Sequence, residues 1–148
     1  MIGYNQEIHE KNVISCLYQV DLDNLNEAIV DFIEEITNSG HTFAGQLFYS
    51  INSDLRQKTN MIVELFISVE EDTSFLDDRF TFRTYFQLTD LLCIRAKGDS
   101  EYEFSKAIEE LISEIIEQDL TIKTPTFYKV YVTEDDLTFT DIYIGVRG

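Results

Sequence analysis

Two stretches of the chain repeat apolar residues at the three- and four-residue spacing of an amphipathic helix. Leu25, Ala28, Ile29, Phe32, Ile33 and Ile36 form one stripe, with Asn24 as the expected cap, Glu27 three residues on, and Gly40 as the stop. Phe104, Ala107, Ile108, Leu111, Ile112 and Ile115 form the other, opened by Ser100 and Glu103 as a capping box just after Gly98. The remaining apolar runs are short and rich in β-branched and aromatic residues, which predicts strands near 12–20, 45–52, 61–70, 79–88, 90–97, 126–133 and 139–147. Between Arg79 and Leu88 the alternation places Phe80, Phe82, Thr84, Phe86 and Leu88 on one face, with Arg79, Arg83 and Tyr85 on the other. Pro125 falls at the start of a strand, where a missing N–H costs least.

The order of elements repeats. A shift of 77 residues lays Val63–Val69 on Thr140–Val146, so that Glu64 meets Asp141, and lays Cys16 on Cys93. A shift of 79 lays the first helical stripe on the second and Phe48–Ile51 on Phe127–Val130. The expected architecture is a single α+β domain over 1–148, built from duplicated strand-helix-strand-strand halves at about 1–72 and 78–148. Its twisted, mostly antiparallel sheet carries both helices on one face.

A concave groove where two such halves meet is a natural ligand site. Glu64 and Asp141 stand amid apolar neighbours, each followed on the same strand face by an aromatic, Phe66 or Tyr143. A carboxylate beside a ring suits a cationic or aromatic ligand, and Tyr49 and Tyr128 are further candidates for lining the groove. Simple alternation also accounts for both acids as polar residues of a wet face, and for the tyrosines as ordinary packing.

Charge changes the picture. Against 28 Asp and Glu stand 11 Lys and Arg, a formal net charge of -17. Direct binding to nucleic acid or to an anionic membrane is disfavoured, because neutralising phosphates needs clustered cations. No apolar run approaches the roughly 18 residues of a membrane span, and no signal segment precedes residue 10, so a cytoplasmic location is expected. The acids concentrate on the two helices: Glu27, Asp31, Glu34 and Glu35 on the first, and Glu109, Glu110, Glu114 and Glu117 on the second, relieved by Lys106. Merged into one ridge, they would attract a basic protein partner; equally, they would keep the chain soluble. His9 and His41 lack neighbours at metal-ligand spacing, the six glycines form no phosphate loop, and the two cysteines sit in apolar runs as reduced core residues. No metal or cofactor is expected, and the role is read as non-catalytic.

The run Phe82-Arg83-Thr84-Tyr85-Phe86-Gln87-Leu88, continuing through Leu91–Gly98 into a helix, and the closing Thr140-Asp141-Ile142-Tyr143-Ile144 resemble the GyrI-like effector-binding fold over nearly the whole chain. That resemblance implies a central groove for small, often cationic or aromatic molecules. Where such proteins commonly place proline after the Tyr-Ile pair, this chain has Gly145. The small, acidic, Ile-, Asn- and Glu-rich chain is also similar to stand-alone bacterial immunity proteins, which implies neutralisation of a nuclease-type toxin as a basic partner. The leading expectation from sequence is therefore an acidic protein that binds a basic partner through the helix ridge; the alternative is a small-molecule module using the groove.

Overall fold

The computed structural model describes residues 1–54, 57–98, 100–132 and 138–148. Its elements are β1 (Gly3–Val20), α1 (Leu25–Asn38), β2 (Phe48–Ile51), β3 (Met61–Ser68), β4 (Phe80–Lys97), α2 (Glu101–Glu117), β5 (Thr121–Val132) and β6 (Thr138–Arg147). By contact density the chain divides into two compact units, a first unit of His9–Gln87 and a second of Met1–Ile8 with Leu88–Gly148.

The α+β expectation, a sheet with two helices sharing one face, is corrected. Strands of 18, 4, 8, 18, 12 and 10 residues outweigh helices of 14 and 17, so the fold is dominated by antiparallel sheet, with one helix in each unit. Two features hid this strand content. Residues 3–12 are almost all polar, with Ile8 buried at 2% exposure as the main apolar anchor, so alternation gives no signal there. The runs at 79–88 and 90–97 form one strand, because Asp90 takes φ 58° within β4 and bends it instead of ending it; aspartate tolerates that left-handed geometry better than most residues. Residue 133, the end of one expected strand, lies outside the described residues. Pro125 sits inside β5, where the ladder to β6 is irregular between Ile122 and Thr126, so no hydrogen bond is forfeited.

The helices follow their local chemistry, with one exception. Ser100 caps α2 by accepting from the Glu103 N–H at 3.1 Å. Gly40, at φ 98°, ends α1, and the His41 N–H returns to the Ile36 carbonyl. Asn24 does not cap α1: a 3-10 turn over Leu22–Asn24 runs straight into the helix, so Asn24 lacks the extended backbone a cap requires and its side chain makes no cap bond.

In the first unit β3 lies between β1 and β2, with Tyr18 opposite Val63, Leu17 opposite Glu64 and Phe48 opposite Phe66. In the second unit β6 lies between β4 and β5, with Arg95 and Lys129 both opposite Asp141. Phe32, Ile36, Val63 and Leu65 are fully buried in the first unit, as are Leu91, Leu92 and Ile142 in the second. Full burial of each such side chain contributes on the order of 1.5–3 kcal/mol.

Candidate functional site

Tyr18 shows which face of the first sheet is turned away from α1. Its ring meets Phe32 edge-on at 6.4 Å and its hydroxyl donates to Asp31 at 2.9 Å, so it points toward α1. Side chains alternate along a strand and cross-strand partners share a face. Ser15 and Leu17 on β1, Glu64 and Phe66 on β3, and Phe48 and Ser50 on β2 therefore lie on the face turned away from α1. Tyr49 stands opposite Leu65, on the α1 side, and is buried. It lies on the opposite side of the sheet from Glu64 and Phe66.

Glu64 is held by two residues that sequence reasoning did not connect with it. The Ser15 hydroxyl donates to Glu64 Oε2 at 2.8 Å, and Arg83 Nη1 donates to Ser15 Oγ, also at 2.8 Å. Arg83 Nη2 lies 3.5 Å from the same carboxylate oxygen, and its guanidinium carbon lies 5.8 Å from the centre of the Phe66 ring. Beneath is an aromatic floor: Phe48 and Phe66 stack at 4.8 Å and 2°, and Phe86 leans on both at 5.3 and 5.0 Å. Leu17 and Ile62 are 60% and 40% exposed on this same face. Arg83 and Phe86 both reach it, while Phe80 stacks on Phe32 of α1, so the expected two-sided alternation of Arg79–Leu88 does not hold.

The second unit places Asp141 in a related but tighter setting. Arg95 donates to it through Nε at 2.8 Å and Nη2 at 3.2 Å, and the guanidinium lies 4.0 Å from the Phe139 ring centre. Phe139 in turn stacks on Tyr131 at 4.9 Å. Tyr143 shares this face with Cys93 and Phe127, its partners across the ladders. Burial raises the Tyr143 hydroxyl above its ordinary range. Burial, reinforced by the Asp141 charge, pushes the Cys93 thiol up to about 11, so it stays protonated near neutrality. Tyr128 stands opposite Ile142, on the other face, where burial raises its hydroxyl. Of the six expected groove residues, Glu64 therefore shares a strand face with Phe66 and Asp141 shares one with Tyr143, whereas Tyr49 and Tyr128 lie on the opposite faces of their ladders.

Ladder register also corrects the cysteine match. Cys16 pairs with Leu65, and the shift that lays Glu64 on Asp141 lays Leu65 on Ile142, whose β4 partner is Ile94. Cys16 thus corresponds to Ile94, one residue away from Cys93 and on the other face. Both cysteines are free thiols.

The acidic helix faces are partly satisfied within the fold. On α1, Asp31 accepts from Tyr18 and Glu35 pairs with Arg79 at 3.6 Å, while Glu27 and Glu34 are exposed. On α2, Glu114 accepts from the Tyr4 hydroxyl; Glu109, Glu110 and Glu117 join it, Lys106, Ser113 and Ile2 around an open depression of about 410 Å³. Glu35 has its counter-charge because the turn before β4 brings Arg79 to it from far along the chain. Among the described residues no His, Cys, Asp and Glu group is arranged to hold a metal, and no helix is long and apolar enough to cross a membrane.

The fold is dominated by antiparallel strands, and each unit sets a carboxylate beside an arginine and an aromatic ring. The chain shares this fold with the EcmrR C-terminal domain, with a TM-score of 0.80 and 16% identity over 99% of this chain and 97% of that one. EcmrR in its complex with DNA matches with the same TM-score and identity, and there this chain spans 57% of the matched chain. SAV2435 bound to tetraphenylphosphonium matches with a TM-score of 0.53 and 13% identity, over 100% of this chain and 93% of that one. These neighbours are consistent with a GyrI-like fold. The chain itself belongs to the family described as a domain of unknown function, DUF5085, whose model matches residues 9–104. No curated protein matches it in sequence.

Proposed function

We propose that this chain is a small-molecule binding module whose ligands are aromatic organic cations, bound without chemical conversion on the sheet face that bears Glu64 and Phe66. The observation that carries this reading is the part-buried Glu64 carboxylate set over the Phe48–Phe66–Phe86 floor, with Leu17 and Ile62 exposed beside it. Fixed negative charge supplies the attraction for a cation, the half-buried Phe86 ring adds quadrupole attraction, and the exposed aliphatics cover apolar surface. The structural neighbour SAV2435 holds tetraphenylphosphonium, a ligand of that chemistry. The Asp141 face of the second unit is the related candidate surface. The basic-partner reading is less well supported, since Asp31, Glu35 and Glu114 already serve the fold.

The test is calorimetric titration of the wild-type chain and Glu64→Gln with tetraphenylphosphonium. Saturable 1:1 binding that weakens by about tenfold in the variant is expected, corresponding to about 1.4 kcal/mol. No saturation by the wild type at millimolar ligand, or equal affinity in the variant, would sink the proposal.

A further inference from the structure

The carboxylate that would receive the ligand is already partnered. Arg83 takes the same two contacts an aromatic cation needs, the Glu64 oxygen at 3.5 Å and the Phe66 ring face at 5.8 Å. Arg95 does the same for Asp141 and Phe139, so an internal guanidinium over a ring and beside an acid recurs in both units. Two cations crowded against one carboxylate repel each other, so a ligand cation and the Arg83 guanidinium exclude one another at this position.

Resting on the reading above, we infer that Arg83 is a built-in competitor for the ligand's charge, which swings off Glu64 when ligand binds and thereby sets the affinity and selectivity of the face. Its geometry suits displacement. Arg83 makes one long ion contact and is steadied through the Ser15 hydroxyl. Arg95 makes two charge-assisted bonds to Asp141 and lies closer to its ring, so it stays in place. The competition also filters ligands by chemistry. A small hydrated cation gains little beyond what Arg83 already provides, whereas one with aromatic bulk also covers the exposed Leu17 and Ile62.

Arg83→Met keeps most of the apolar stem and removes the charge. Titrated with tetraphenylphosphonium, it is expected to bind about tenfold more tightly than wild type, the scale of a partly exposed ion pair combined with a ring contact. Tetramethylammonium is expected to bind the wild type poorly and to gain measurably in the variant. In the wild type, the Arg83 Nε–H resonance shifts when tetraphenylphosphonium saturates the protein. Wild-type binding with unchanged or weaker affinity in Arg83→Met makes Arg83 a wall of the site and overturns this inference alone. Absence of binding in both proteins removes the small-molecule reading and the inference with it. Should Arg83→Met fail to fold, the wild-type resonance decides: a shift at saturation supports displacement, and an unmoved signal refutes it.

Discussion

Replacing Arg95 with methionine tests whether the Asp141 pair is a structural member of the second unit. The Asp141 side chain retains 11% of its exposure, while Arg95 retains 55%. Removing one partner of a fully buried pair costs about 3–5 kcal/mol, because the remaining charge is stranded, whereas an exposed pair contributes about 0.2–1 kcal/mol. This pair lies between those limits, with the acid dry and the base half in water. Two hydrogen bonds at 2.8 and 3.2 Å and the Phe139 contact at 4.0 Å are lost together. Lys129, opposite Asp141 on β5, leaves some positive potential behind. The balance gives a loss of about 2 kcal/mol for Arg95→Met. Urea unfolding followed by circular dichroism measures it, in a cycle with Asp141→Asn and the double variant. Once the carboxylate is neutral, removal of Arg95 is expected to cost well under 1 kcal/mol, giving a coupling above about 1 kcal/mol. Equal cost of Arg95→Met in the Asp and Asn backgrounds would refute the argument, leaving Arg95 as surface decoration.

Two further outcomes follow from local geometry. A Cβ added at Gly145 would lie 2.5 Å from Thr124 Cγ2, whose Oγ1 accepts the Gly145 N–H at 2.8 Å, so Gly145→Ala is expected to destabilise by about 1–3 kcal/mol, as overpacking does. Thr124→Ser, which removes that methyl group and keeps the hydroxyl, recovers most of the loss; an unchanged midpoint for Gly145→Ala alone argues against this packing. Glu71 is held below the ordinary carboxylate range chiefly by the Thr42 N–H, and also by His41 Nδ1, against the opposing effect of burial. A depressed folded pKa contributes stability that is fully present above the unfolded value of about 4.3 and is lost as pH falls through the folded value. Glu71→Gln should therefore lower stability near neutrality and flatten its decline in acid, and denaturation curves that stay parallel to wild type from neutrality into acid would show that Glu71 has no such linkage.

Much of the proposed binding face was legible locally. Two-residue alternation is a short-range property, and it placed Glu64 with Phe66 and Asp141 with Tyr143 on common strand faces, as the ladders have them. Tyr49 and Tyr128 were misplaced because aromatic type says nothing about strand parity, and one step along a strand reverses the face. Arg83 and Ser15 escaped notice because Glu64 is separated from them by 19 and 49 residues, and only the long reach of a guanidinium and the β1–β3 ladder bring the three together.

From the chain alone, the 3.6-residue stripes determined both helices, and Gly40 and Ser100 determined one end of each. These are consequences of neighbours in sequence. Tertiary structure decided which charges are spent, giving Arg83 to Glu64, Arg95 to Asp141 and Arg79 to Glu35. It also decided that the polar first residues form a strand, and that Asp90 bends β4 instead of breaking it. The physical reason is common to all of these: an ion pair or a ladder bond depends on distance in space, and local periodicity carries no record of which remote residue the folded backbone brings within reach.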